Sequence, residues 1–361
     1  MARVVVVGAG LAGLCSALAL ADFGHAVTVV ESGRAPGGQL RYGPQPFTLP
    51  AVLRDLFRKT GRPLERELDL VPAEPAARWV FADGAEVAVP NASPSGTRRA
   101  LDDAFGAGAG AQWDAVVAHG DRAWRELRPL ILGHAGAKAP RHTQTLRDVA
   151  ASLREPHLKA ALESYATRYG ADPATAPAAL TVLPYLEQTF GVWTADLARL
   201  IEVLAGRGAE RGATFRYDAA AEAPVHDGKR VTGVTLAGGA TVGADAVVWT
   251  APPGHLADDR RRPFRRRRDD AAPTTAVRPD PTRAPEIRFP AGGGPAISWY
   301  DAAGGYVHGA AAGRVTAIFR RPGNVTRVRG LYLAGAGAHP GPGIALVAQS
   351  AAIVADDIGR A

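Results

Sequence analysis

The chain has 361 residues, of which 47% are hydrophobic and 21% are charged, as in an ordinary globular protein with room for two domains. Its single cysteine, Cys15, excludes an internal disulfide framework and a C-x-x-C redox pair. The formal net charge is +7, and the run Arg260 to Arg268 carries seven arginines without an acid. Such a run is more often a solvated loop than a binding surface. Because aromatic stacking platforms are absent nearby, we expect no nucleic-acid partner.

The first predicted element lies in residues 4–21, which carry no charge and have the length of a short membrane span or a signal peptide. Three glycines, Gly8, Gly10 and Gly13, disfavour both interpretations, because each weakens a helix by about 1 kcal/mol. In a strand–turn–helix unit, Gly8 permits a tight turn, Gly10 lets the backbone approach a pyrophosphate, and Gly13 lets the helix pack on the strand. The spacing therefore predicts a Rossmann unit with a strand at 4–7 and a helix at 11–23.

A second strand, predicted at residues 27–30, ends at Glu31. A carboxylate at this position can hydrogen-bond both hydroxyls of an adenosine ribose and would repel a 2′-phosphate. This favours FAD or NAD over NADP. Arg34, Gly37 and Gly38 follow in a flexible loop that carries a cation.

The middle of the chain changes from helical to strand patterns. An amphipathic helix is predicted after Pro50, a hairpin around Asp83-Gly84, and mostly helices over residues 98–215. Further strands turn at Asp227-Gly228 and Gly238-Gly239, and a buried strand at 246–250 is expected to rejoin the first sheet. Residues 255–300 are rich in Arg, Pro, Asp and Ala without periodicity, so no regular structure is predicted there.

The C-terminal part repeats the strand–glycine–helix pattern, with a strand at residues 331–333 and a helix from about 344 to 358. A second helix N-terminus favours negative charge. In a flavoprotein this suits the charge that builds on one edge of the isoalloxazine on reduction, whereas NAD needs no second unit. The two units together predict FAD.

On these residues the chain resembles the phytoene desaturase-type flavoproteins, a carotenoid-acting branch of the FAD-dependent amine oxidase superfamily. The stretches "YATRYGADP" and "GLYLAGAGAHPGPGI" are the most specific, and the resemblance covers most of residues 4–253 and 315–360. It implies an α/β fold with a Rossmann-like FAD-binding domain and an inserted, mostly helical (α+β) substrate domain. FAD-binding parts are expected at 1–60, 191–254 and 315–361, the substrate domain at 61–190, and an irregular remnant of it at 255–314.

The resemblance also assigns site residues by position. It implies that the pyrophosphate is held by Gly8, Gly10, Leu11, Ala12 and Gly13, the ribose by Glu31, and the flavin side of the phosphates by Arg34 and Gly38. The backbone of Ala221 would meet the adenine, and Gly335, Gly337 and Ile344 would lie along the isoalloxazine. No catalytic residue is assigned, because structural roles are more common for the titratable candidates His339, Arg168 and Asp172. No metal-ligand spacing is present.

Similar enzymes remove hydrogens from an apolar isoprenoid polyene drawn from a membrane surface, with FAD as the oxidant. The sequence has no other segment that could span a membrane, so a cytoplasmic location is expected. The resemblance adds peripheral membrane contact, through the helix after Pro50 or the arginine run at 260–268. The chain is shorter than such enzymes, and the biased composition of residues 255–300 resembles GC-rich DNA read in a wrong frame. Two alternatives stay open: a flavin-binding but catalytically defective relic, and an amine oxidase-like enzyme. The oligomeric state also stays open.

Overall fold

A computed structural model describes residues 1–42, 46–133, 144–167, 171–251, 286–289 and 322–361. The strands in chain order are β1 Arg3–Val7, β2 Ala26–Val30, β3 Val71–Pro72, β4 Ala77–Phe81, β5 Glu86–Val89, β6 Trp193–Thr194, β7 Thr214–Arg216, β8 Ala221–His226, β9 Val231–Leu236, β10 Thr241–Gly243, β11 Ala246–Trp249, β12 Glu286–Phe289 and β13 Leu331–Leu333. The helices are α1 Leu11–Asp22, α2 Ala51–Lys59, α3 Pro94–Phe105, α4 Ala109–Leu132, α5 Leu146–Ala151, α6 Pro156–Thr167, α7 Val182–Phe190, α8 Leu197–Glu210 and α9 Ile344–Ile358. Three short 3₁₀ turns occupy Gly38–Tyr42, Leu64–Arg66 and Ala178–Thr181.

A five-stranded parallel sheet in the order β13-β11-β1-β2-β7 forms the centre of the larger domain. In its middle, Val6 of β1 pairs with Val29 of β2 and with Val248 of β11. The inner strands are runs of valine because both faces of a parallel sheet are covered. The prediction that the strand after residue 245 rejoins the first sheet is confirmed.

The two faces of this sheet pack against different layers. Val4 and Val6 point into a core shared with α1, α8 and α9. Val5 and Val7 point into a second core, which is covered by the antiparallel sheet β10-β9-β8. Alternate side chains of one strand thus reach opposite layers, as the two-residue period of a strand requires.

The chain leaves the parallel sheet after β2 and returns to it at β7. Much of the excursion forms a separate core in which the β4–β5 hairpin packs against α3, α4, α5 and α6. Trp79 and Trp113 meet there edge to face, with ring centroids 5.1 Å apart. The structure therefore confirms an α/β fold with an inserted, mostly helical part.

The prediction that residues 255–300 lack regular structure is wrong at Glu286–Phe289. These residues form β12, which pairs in parallel with β4, and the ring of Phe289 stacks on that of Phe81. Alternate apolar side chains, Ile287 and Phe289, are buried in the inserted core. The sequence signal was too short to identify the strand, because two apolar side chains give no measurable periodicity. The arginine run at 260–268 lies outside the described residues.

Helix α2 was one of the two membrane-contact candidates. Its apolar side chains Leu53, Leu56 and Phe57 are buried in the core beneath the parallel sheet. The apolar face of α2 is therefore occupied by the protein itself. Among the described residues, no helix combines the length and the apolar character that crossing a bilayer demands.

Candidate functional site

The first glycine turn joins β1 to α1 in a conformation that only glycines fit. Gly8 has a φ of +97°, and its N–H donates to the carbonyl of Val30 at 2.8 Å. A Cβ atom on Gly13 would lie 1.8 Å from the carbonyl oxygen of Gly8. Helix and strand therefore approach as closely as the sequence analysis inferred, and no larger side chain can replace Gly13.

The N–H groups at the N-terminus of α1 are not capped by a side chain. Its N-cap, Gly10, provides no side-chain hydrogen bond, and the first turn of the helix contains no acidic residue. The N–H of Gly37 donates to the carbonyl of Ala9 at 2.8 Å, and a Cβ on Gly38 would lie 3.1 Å from the Cα of Gly10. Uncapped N–H groups lined by glycine backbone form the kind of cradle that binds a phosphate. Leu11 and Ala12, also predicted, are the first two residues of α1.

Glu31 lies directly beside this cradle. Its Oε2 accepts the N–H of Ala9 at 2.6 Å, and its Oε1 accepts the N–H of Gly33 at 2.7 Å. Oε2 keeps a second lone pair for a ribose hydroxyl, whereas Oε1 also accepts the hydroxyl of Ser32 at 3.2 Å and can accept a second ribose hydroxyl only when that exposed serine rotates away. The structure thus gives Glu31 a role that the sequence analysis missed: it also ties the glycine turn to the loop after β2.

Two arginines follow β2 near the cradle, of which the sequence analysis selected only Arg34. Arg34 is 93% exposed, and its Nε lies 3.8 Å from Asp218, so its side chain extends into solvent. Arg41, which the sequence analysis did not select, lies against Gly37 and donates its Nε–H to the carbonyl of Pro36 at 2.8 Å. The only sequence signal for Arg41 is its position three residues after the glycine pair.

The predicted adenine side is formed by the segment between β7 and β8. The N–H of Ala219 donates to the carbonyl of Glu31 at 2.8 Å, and Ala221 begins β8. Burial raises the pKa of Tyr217, the charge of Glu31 raises it further, and the charge of Arg41 opposes this. Tyr217 therefore belongs to the surroundings of Glu31, another residue that the sequence analysis did not select.

The second glycine turn, after β13, meets the first one. Gly335 has a φ of +106°, and a Cβ placed on it would lie 3.3 Å from the Cβ of Ala12. Gly337 lies half-buried in the same turn. Ile344 is buried as the first residue of α9, whose N-cap Gly343 makes no side-chain hydrogen bond. The glycine turn that leads to α9 thus touches the first turn of α1 at Ala12, and the N-termini of both helices lack a side-chain cap.

A buried polar pair that the sequence analysis missed supports this second turn. Asn324 lies with its Nδ2 within 3.0 Å of the carbonyl oxygens of Leu333 and His339 and of the hydroxyl of Ser350. The Ser350 hydroxyl donates to the carbonyl of His339 at 2.7 Å and accepts the N–H of Gly335 at 3.1 Å. The turn is therefore held by side chains from both of its flanks.

The titratable candidates have structural contacts. The Nε2 of His339 lies 3.0 Å from the carbonyl oxygen of Gly133, at the end of α4, and Gln349 donates to the carbonyl of Leu132 at 2.6 Å. Asp172 accepts the N–H of Ala174 at 2.8 Å and lies on the surface. Arg168 lies outside the described residues. Within the described ranges, no cluster of His, Cys, Asp or Glu could hold a metal ion.

The parallel sheet, the carboxylate after β2 and the two linked glycine turns define a dinucleotide-binding flavoprotein fold. The flavin containing amine oxidoreductase family model matches residues 11–279, and the chain belongs to this family. The family is flavin-containing, which agrees with the FAD predicted from the two glycine units.

Among curated proteins, the chain is 30% identical over 276 residues to a zeta-carotene-forming phytoene desaturase of Myxococcus xanthus, covering 69% of this chain and 53% of that protein. It is 32% identical over 289 residues to a hydroxyneurosporene desaturase of Cereibacter sphaeroides, covering 70% of this chain and 57% of that protein. The chain thus spans about half the length of these relatives. An oxidoreductase from Methanosarcina mazei has a similar solved structure, with a TM-score of 0.65, 14% identity, and coverage of 98% of this chain and 100% of that one.

Proposed function

We propose that the protein is an FAD-dependent oxidoreductase that removes hydrogens from an apolar isoprenoid polyene. The observation that carries the cofactor assignment is the close approach of the second glycine turn, at Gly335, to Ala12 in the first turn of α1, with the uncapped N-terminus of α9 following that glycine turn. One helix end suits a pyrophosphate and the other suits a reduced flavin ring. The substrate class rests on the similarity to two curated carotenoid desaturases.

Each site residue has a defined task in this proposal. The N–H groups at the start of α1, beside Gly10 and Gly38, bind the pyrophosphate, and Glu31 accepts the ribose hydroxyls. Arg41 replaces Arg34 as the cation on the phosphate side, because Arg34 extends into solvent. The backbone at Ala221 adjoins the adenine, and Gly335, Gly337 and Ile344 line the flavin ring. When bound, FAD supplies the two-electron oxidant.

The chain's own residues then have to position the substrate and exclude water. Beside the N-terminus of α9, side chains of α4 and α7 form an apolar cluster with Leu49 and Ala345. Trp124 and Leu127 contribute from α4, and Leu186 from α7. A polyene has no polar group to desolvate, so an apolar surrounding next to the flavin side suits it. We assign residues 61–190 to this substrate domain and 1–60, 191–254 and 315–361 to FAD binding.

Titration of the purified protein with FAD, NAD and NADP tests the cofactor assignment. We expect saturable FAD binding, measured by quenching of flavin fluorescence, and no displacement by NADP. The reaction is tested by adding phytoene in liposomes to the anaerobic FAD complex. We expect loss of the visible flavin absorbance together with a more conjugated polyene in the extract. Failure to bind FAD would overturn the whole proposal.

A second candidate function is flavin binding without catalysis. The observation that favours it is the extent of the similarity, because the 276 matched residues correspond to only 53% of the phytoene desaturase. The anaerobic experiment separates the two candidates. The non-catalytic role is supported if FAD binds stoichiometrically but phytoene, lycopene precursors and polar amines do not reduce the visible absorbance of the bound flavin.

We also propose peripheral contact with an anionic membrane surface, and this proposal rests on the arginine run at 260–268. The competing helix α2 has its apolar face in the core. Near an anionic surface each arginine contributes about 1 kcal/mol, so seven can hold a protein reversibly. We expect the protein to float with anionic liposomes at low salt. It should not float with anionic liposomes at high salt, nor with neutral liposomes. Salt-resistant binding to neutral lipid would contradict this electrostatic contact.

A further inference from the structure

The inserted core contains a small cavity with polar walls. It has a volume of about 20 Å³ and lies where the β4–β5 hairpin meets α3, α4, α6 and α7. Trp79, Trp113 and Pro184 supply apolar walls, while Thr97 of α3 and Gln188 of α7 supply polar ones. The cavity lies in the inserted core and is separate from the glycine turns described above.

Two of the polar side chains that line this cavity, Thr97 and Gln188, have no hydrogen-bond partner among the described residues. Thr97 is 1% exposed and Gln188 is 7% exposed, so neither side chain reaches bulk water. The hydroxyl of Thr97 and both the Nε2 and the Oε1 of Gln188 are fully buried without a hydrogen bond. Such groups are rare in native proteins, because an unpaired buried polar atom has lost its hydration without compensation.

We propose that the cavity binds one ordered water molecule that bridges Thr97 and Gln188. A water needs roughly 10–15 Å³ of such volume and two to four polar partners, and the cavity provides both. The hydroxyl supplies a donor or an acceptor, and the amide supplies one of each, so a single water with four hydrogen-bonding positions can engage both side chains. A larger ligand does not fit this volume.

The bridge would join two helices that the protein already links nearby. Asn91, which precedes α3, accepts the N–H of Val192 at 2.8 Å and donates to its carbonyl at 2.9 Å, just after α7. Beside Gln188, the carboxylate of Glu187 accepts the hydroxyl of Tyr165 from α6. The water would therefore complete a polar link between α3 and α7 inside an otherwise apolar core, whether or not the protein binds FAD.

Thr97→Val tests the water because a hydrated cavity and a dry cavity predict different changes in the unfolding equilibrium constant. Valine has the shape of threonine, so in a hydrated cavity the change removes a hydrogen bond and raises the unfolding equilibrium constant roughly three- to tenfold. In a dry cavity it replaces an unpaired hydroxyl with a methyl group, and the constant stays equal or falls. Urea denaturation measures the constant, and the second outcome overturns the proposal.

A second variant, Gln188→Met, keeps the size of the side chain and removes its amide. If one water serves both residues, the effect of Thr97→Val combined with Gln188→Met is smaller than the sum of the single effects. Thr60→Val is the control for additivity. Its buried hydroxyl donates to the carbonyl of Leu56 at 2.8 Å and accepts an N–H of Arg207 at 2.9 Å, and it shares no partner with Gln188. Its effect should add to that of Gln188→Met. Additivity of both pairs would overturn the bridge.

A crystal structure that resolves ordered waters gives the direct measurement. We expect one peak of density within hydrogen-bonding distance of the Thr97 hydroxyl and the Gln188 amide. Absence of that peak, or density that belongs to a protein side chain, overturns the proposal.

Discussion

Glu31→Gln provides the sharpest test of the ribose site, because the two side chains have nearly the same shape. Glu31 uses one oxygen for the N–H of Ala9 at 2.6 Å and the other for the N–H of Gly33 at 2.7 Å. Glutamine can keep only one of these acceptors, since its amide nitrogen would face the other N–H group. The substitution therefore perturbs the glycine turn as well as the contact to the ribose.

The magnitude follows from the lost hydrogen bonds. A hydrogen bond to a charged group contributes about 1.5–3 kcal/mol. Loss of one such bond, about 2 kcal/mol, corresponds to roughly a thirtyfold rise in the dissociation constant of FAD, since 1.4 kcal/mol equals a factor of ten. The matched control is Glu86→Gln, because Glu86 is exposed on β5 in the inserted hairpin, outside the proposed FAD site. We expect the control to bind FAD as the wild type does.

Isothermal titration of the apoprotein with FAD measures the constant, and thermal unfolding without FAD measures the effect on the turn alone. We expect Glu31→Gln to weaken binding and also to lower the unfolding temperature of the apoprotein. A dissociation constant within about threefold of the wild type would refute the placement of the ribose, since that shift is under 1 kcal/mol.

Four further predictions concern single residues. Gly13→Ala should destabilise the fold by more than about 4 kcal/mol in urea denaturation, because no Cβ fits beside the preceding turn; Gly206→Ala, in open space on α8, should stabilise by about 0.5–1 kcal/mol. Burial lowers the pKa of His157, but its hydrogen bonds to two carboxylates raise it more, so its pKa lies above the usual value. The stability it contributes should be present below about pH 6.5 and be lost as pH rises through the raised pKa, and His157→Gln should abolish this dependence. Cys15 should resist iodoacetamide in the folded protein, because burial raises the pKa of its thiol to about 12. His339→Ala should increase amide exchange at the end of α4, measured by mass spectrometry, whereas His339→Gln should largely restore protection by donating to the same carbonyl.

Different results would contradict these expectations. Equal urea midpoints for Gly13→Ala and Gly206→Ala would refute the close approach of α1 to its turn. A pH dependence of stability that is unchanged in His157→Gln would exclude its ion pairs as the cause. Rapid alkylation of Cys15 under native conditions would mean that α1 is not buried. Unchanged amide hydrogen exchange in His339→Ala would show that the imidazole does not stabilise the C-terminal end of α4.

The local elements of the FAD-binding part could be predicted from the sequence. The helix predicted from about 344 to 358 has those bounds in the structure, and the first helix ends at Asp22, within one residue of the prediction. Runs of valine and glycines at fixed spacing are local signals, because burial on both faces and a positive φ act on neighbouring residues. The fold class and the roles of Gly8 and Gly13 followed from these signals.

The relations between distant segments were decided only by the tertiary structure. Sequence reasoning chose Arg34 as the cation and did not select Arg41, yet Arg34 extends into solvent beside Asp218 whereas Arg41 lies against Gly37 and donates to the carbonyl of Pro36. It also missed Asn324, whose amide reaches three partners around the second glycine turn. A side chain's partners depend on which loops the fold brings together, and periodicity along one segment carries no information about that choice.

The sequence by itself determined that two strand–glycine–helix units exist, because their spacing requirements are satisfied within each unit. Only the tertiary structure decided that the two units lie side by side. Gly335 meets Ala12 because β13 joins the sheet through β11, next to β1. In the same way, β12 pairs with β4 because their buried side chains share the inserted core. Each of these pairings closes a long loop of chain, which costs conformational entropy. The pairing is therefore decided by the shared hydrophobic core that the two segments form in the folded protein.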